Sequence, residues 1–163
     1  MTSTRKELLL CWLPVVVLPL SNIFMAVVAH QSLQIFLPYV VGSVTEELFF
    51  RWFLLKQWLF NVDYLKPAHA IFLVSILFAG IHLFNLRAGA EIILTIMQVF
   101  FAFAFSIWAG AVVWKSRSIM IPLIAHLFLN LTATVDILWI ELVIIGIVLL
   151  DGTMLTLRCR KLL

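Results

Sequence analysis

The chain has 163 residues, 64% of them hydrophobic and 12% charged, with a mean hydropathy of +1.16. A soluble globular domain carries roughly 45–50% apolar and about 25% charged residues, so that class is excluded and an integral membrane protein is implied. The pI of 9.1 and net charge of +3 do not point to nucleic acid, because the Lys and Arg residues fall between apolar runs and at the chain ends, where membrane topology requires them.

The expected fold is all-α, a polytopic membrane bundle of about six transmembrane helices of roughly 20 residues each. It forms one transmembrane domain over residues 1–163. The first apolar run, about Leu8 to Ala29, follows Arg5 and Lys6. It is long for a signal-peptide core and lacks a clean A-x-A site, so it reads as a retained span. Cys11 and Cys159 show neither CxxC nor metal-ligand spacing and read as reduced thiols. His30-Gln31-Ser32 is a polar turn before the second span, about Leu33 to Phe60, whose first half Pro38 and Gly42 make irregular. Pro67 is a good first residue for the third span, which ends near Leu86 and carries His82. The fourth span runs from about Glu91 to Trp114, and its stretch Phe100 to Phe105 reads as lipid-facing or core packing. The fifth, about Ile119 to Val135, carries His126 and Asn130; the sixth runs from about Ile137 to Leu157. With six spans, Arg5, Lys6, Lys56, Lys66, Lys115, Arg117, Arg158, Arg160 and Lys161 share one side and Arg87 lies on the other. The positive-inside rule then places both the N and C termini in the cytoplasm.

Thr45-Glu46-Glu47-Leu48-Phe49-Phe50-Arg51 is the stretch that stability does not explain. A charge near the middle of a membrane helix costs about 2.5–3.5 kcal/mol, and each Leu or Phe returns only about 0.3–0.6 kcal/mol. Depth links this cluster to two histidines. At about 1.5 Å per residue, Glu46 lies roughly 20 Å from the cytoplasmic end of its span, His82 roughly 20 Å from Lys66, and His126 roughly 10–15 Å from Lys115 and Arg117. All three fall in the middle of a hydrocarbon core about 30 Å thick, so one cavity can hold them.

Spacing supplies the local geometry. Glu47 and Arg51 are four apart and can pair. Glu46 points about 100° away around the helix and can enter a cavity unpaired. Phe78 and His82 are four apart, His82 and Asn85 three apart, and His126 and Asn130 four apart, so the last two can address one point. Two carboxylates, two imidazoles and a carboxamide suffice for hydrolysis by activated water: a carboxylate takes the proton and His and Asn donors stabilise the oxyanion. No Ser or Cys sits in a nucleophile setting beside a His.

Glu46-Glu47-Leu48-Phe49-Phe50-Arg51, Phe78-Ala79-Gly80-Ile81-His82 and His126-Leu127-Phe128-Leu129-Asn130 resemble, in order, the EExxxR, FxxxH and HxxxN motifs of the CAAX protease and bacteriocin-processing family. These are glutamic-type intramembrane endopeptidases, also called Abi proteins. The resemblance covers about Val40 to Leu131 and implies a catalytic core over about residues 40–131. It implies that Glu46 is the base that activates water, aided by His82, and that His126 and Asn130 stabilise the oxyanion. Glu47 and Arg51 are implied as supporting residues, with Glu47 sharing the base role in one version; Phe78 and Asn85 are further supporting candidates. Zinc was long suspected for the family, but a metal-free mechanism is the one implied, and this chain has no HExxH. No cofactor is expected. The implied partners are a membrane-associated protein or peptide substrate and the lipid bilayer, and the implied location is the plasma membrane of a prokaryote. Fewer spans precede the first motif than in the larger prenyl-protease members, so the resemblance implies the chemistry more than a prenylated substrate.

The residues alone leave other readings open. Glu46, Glu47 and Arg51 also fit a structural ion-pair network, although such networks are costly. His82 and His126 also fit core histidines or a bis-His haem site. The same cavity also suits a non-proteolytic protein that binds a peptide or confers immunity, or a proton relay. His30 and His69 read as interfacial, and Glu91, Asp136 and Glu141 as solvated. Asp151 lies inside the last span with no assigned role.

Overall fold

The computed structural model describes residues 33–61, 63, 65–132 and 138–159. The first expected span, with Cys11 and His30, lies outside the described residues, as does Asp136. Among the described residues all regular structure is helical. Hydrocarbon offers no water to backbone N–H and C=O groups, so apolar segments of this kind satisfy them within their own helix.

The second expected span is helical throughout but not uniformly wound. Helix α1 (Leu33–Glu46), with Pro38 inside it, runs directly into a π-helix over Glu47–Trp58 and then a 3-10 turn over Leu59–Asn61. The π-helix closes with i→i+5 hydrogen bonds; at its exit the Leu59 N–H reaches the carbonyls of Leu54 and Leu55. Composition gives no hint of this change. Such wider winding is concentrated at functional sites, and here it begins between Glu46 and Glu47.

Helix α2 (Pro67–Ile81) starts as expected, with Pro67 in the first turn after an extended Lys66, and tightens into a 3-10 segment over His82–Leu86. Helix α3 (Ile92–Ser116) ends at Arg117, which has φ 58° in the left-handed region. Lys56 Nζ donates to the Arg117 carbonyl at 2.8 Å, which ties the end of the π-helix to the end of α3. Helices α4 (Met120–Thr132) and α5 (Leu138–Cys159) follow. The stretches Pro67–Leu86 and Ile92–Ser116 are each long and apolar enough to cross a membrane.

Helix α3 is the centre of the packing. Its second half, from Ala104 to Val113, is buried throughout, and it packs against both α2 and α5. Small residues make the close approaches. A Cβ on Gly152 of α5 would lie 2.7 Å from the Trp108 backbone nitrogen, and one on Gly110 would lie 2.9 Å from Ile71 Cγ2. Large apolar side chains such as Phe49, Phe53, Phe72, Phe100 and Leu150 point outward, the arrangement a lipid solvent allows. Helix α1 packs on α4, and that seam carries the polar residues.

Candidate active site

Three segments supply the site: the α1–π junction, the end of α2, and the middle of α4. Glu46 is the last residue of α1 and Glu47 the first of the π-helix. His126 of α4 lies between them. Its Nδ1–H donates to Glu47 Oε1 at 2.9 Å, and its Nε2 lies 3.7 Å from Glu46 Oε2. The second distance exceeds a direct hydrogen bond and is short enough for one water to touch both groups.

The two carboxylates have different surroundings. Glu47 is fully buried, and Oε1 also lies 3.3 Å from Arg51 Nη1, itself fully buried. Glu46 keeps 29% of its side-chain surface exposed. Different surroundings give two neighbouring carboxylates different roles in enzymes; here one is locked and the other accessible. The expected Glu47–Arg51 pair is therefore present. Glu46 is not free of partners as its helical direction implies, because His126 faces it.

Phe78 packs the site together. It is buried on α2, with the Arg51 guanidinium carbon 4.0 Å from its ring centroid. The His82 and His126 rings stand 5.1 and 5.9 Å from it, edge to face, and Phe50 stands 5.2 Å away. Phe105 of α3 completes the wall, 5.1 Å from His126. A guanidinium against aromatic faces gains cation–π attraction in place of some of the lost hydration. Arg51 Nε and Nη2 and Glu47 Oε2 have no hydrogen-bond partner among the described residues.

His82 donates Nδ1–H to the Phe78 carbonyl at 2.8 Å. A carbonyl can only accept, so in the neutral ring Nε2 keeps its lone pair.

Asn130 lies one turn beyond His126 on α4. Its Nδ2 donates to Ser43 Oγ at 2.8 Å, while His126 turns to the carboxylates. Ser43 is fully buried on α1 and donates in turn to the Tyr39 carbonyl at 2.9 Å. Sequence reasoning missed Ser43. The available signal was its place four residues before Glu47, on the stripe that continues to Arg51. Asn85 Nδ2 donates to Gln98 Oε1 at 2.7 Å, which ties the segment after α2 to α3. Asp151 is buried in α5, 5% exposed. Among the described residues no group of three or more His, Cys, Asp or Glu is arranged to hold a metal ion.

Residues 14–132 match the family model described as type II CAAX prenyl endopeptidase Rce1-like. The chain belongs to that family. The match spans all three motifs and the helices that carry them, so the coarse function is that of a CAAX-protease-like endopeptidase in a membrane. No curated protein and no solved structure matches the chain.

Proposed function

We propose that this Rce1-like protein is a glutamic-type intramembrane endopeptidase that hydrolyses a peptide bond of a membrane-associated substrate through a Glu46-activated water. The observation that carries the reading is His126 bracketed by one locked and one accessible carboxylate. Glu46 takes a proton from water, and the oxygen attacks the scissile carbonyl. His82 Nε2 accepts a second hydrogen bond from that water and helps to hold it. Glu47 orients His126 through Nδ1, as a buried acid orients the imidazole of a hydrolase triad. His126 Nε2–H and the Asn130 amide stabilise the oxyanion of the tetrahedral intermediate. Collapse of the intermediate breaks the C–N bond, and Glu46 returns its proton to the leaving amine.

No step in this scheme uses a metal. About six spans with cytoplasmic termini, in the plasma membrane of a prokaryote, complete the proposal. The matching family is named for prenylated CAAX substrates, so a farnesylated CAAX peptide is the first probe.

The test compares wild type, Glu46→Gln and His126→Ala in membranes. Products are read by mass spectrometry, both from the farnesylated peptide and from endogenous membrane peptides. Glu46→Gln is expected to lower cleavage by about 10³-fold, the scale of a lost general base, while inserting normally. Undiminished cleavage in that variant sinks the mechanism. Identical peptide profiles from all three inserted proteins shift the reading to peptide binding or immunity without proteolysis.

A further inference from the structure

We infer that Ser43 is a positioning residue that holds the Asn130 carboxamide with its donor side set for catalysis; this rests on the endopeptidase reading. A carboxamide is nearly symmetric in shape, and a half-turn about its last torsion exchanges an N–H donor for a C=O acceptor. An oxyanion needs the donor. Asn130 is only part-buried, so burial alone does not prevent that half-turn.

The Ser43 hydroxyl removes the ambiguity by a chain of forced directions. The Tyr39 carbonyl can only accept, so at 2.9 Å it takes the single Ser43 hydroxyl proton. With that proton committed, Ser43 Oγ faces Asn130 only as an acceptor. Nδ2, not Oδ1, therefore turns toward it, at 2.8 Å. One Nδ2–H is held by Ser43 and the other keeps a fixed direction for the substrate. The flipped amide would set two acceptor oxygens against each other beside the buried Ser43 hydroxyl, an unsatisfied and unfavourable contact. Ser43 also sits on the same helix as Glu46, three residues earlier, so the donor and the base are referred to one element.

The experiment uses the full-length protein in proteoliposomes and the farnesylated CAAX peptide with a fluorophore and quencher flanking the scissile bond. Wild type, Ser43→Ala, Ser43→Thr, Asn130→Ala and the Ser43→Ala/Asn130→Ala double variant are compared for kcat and KM. Ser43→Ala is expected to lower kcat by about 10–30-fold with KM little changed, a part of the ~10²–10³-fold that one lost oxyanion donor costs. Ser43→Thr keeps the hydroxyl and is expected to recover most of the rate. Adding Ser43→Ala to Asn130→Ala is expected to lower kcat no further, because Ser43 acts only through Asn130. Wild-type kcat in Ser43→Ala, or full additivity in the double variant, overturns the inference. If Ser43→Ala does not fold, Ser43→Cys takes its place, since a thiol is a weak hydrogen-bonding partner; wild-type kcat there overturns it equally. A wild-type protein that cleaves neither this peptide nor endogenous membrane peptides fails the endopeptidase reading itself, a separate result.

Discussion

The α3–α5 seam and the α1–α4 seam solve the same problem in opposite ways. In the first, Gly152 lets α5 rest on the Trp108 backbone, and the contact is made by small residues and carbon. In the second, Ser43, Glu47, His126 and Asn130 join the helices through hydrogen bonds. In lipid, apolar side chains gain little by leaving the solvent, so close packing of small residues is the economical way to hold helices together. Charged and polar groups there are expensive and mark function. The difference teaches that close packing accounts for one seam, while the other carries polar groups that packing alone does not call for.

Breaking the polar seam should cost most. Arg51→Ala leaves Glu47 buried beside His126 without its cation. Loss of about 3–5 kcal/mol of stability is expected, as for other broken buried pairs, read as a lower unfolding midpoint in detergent together with lost cleavage. A variant as stable as wild type would show that Arg51 contributes little to holding Glu47. Breaking the packed seam should cost somewhat less and should separate stability from chemistry. In Gly152→Ala the new Cβ meets Trp108 backbone rather than a flexible side-chain end, so a loss of about 1–3 kcal/mol is expected. Cleavage per folded molecule should persist; its loss with intact folding would mean that the two seams are coupled. The smallest effect is expected away from both seams. Asn85→Ala removes one exposed bond to Gln98 and should change stability by about 0.5 kcal/mol or less. It should leave kcat near wild type, and a large fall in kcat would place Asn85 back among the site residues.

Contacts within one helix were legible from sequence. Glu47–Arg51 and Phe78–His82 are each four apart, and helical geometry alone brings such residues together. Contacts between helices were legible only as a meeting of depths. Glu46, His82 and His126 fall at matching depths by residue count, but nothing in their spacing shows which atom faces which. Thus the bond from Asn130 of α4 to Ser43 of α1 could not be read from the spacing along either helix. Likewise, the spacing of three from His82 gave no sign of the bond from Asn85 to Gln98 of α3.

The sequence by itself determined the class, the helical register and the chemistry on offer. An apolar chain must close its backbone hydrogen bonds within each segment, and the periodicity then orients each side chain about its own axis. The tertiary structure decided the rest. It wound Glu47–Trp58 as a π-helix and set His126 between the adjacent carboxylates. It also buried Asp151 near a span end. The physical reason is common to both: rotation about a helix axis is local, whereas the neighbour that a side chain meets depends on how whole helices pack.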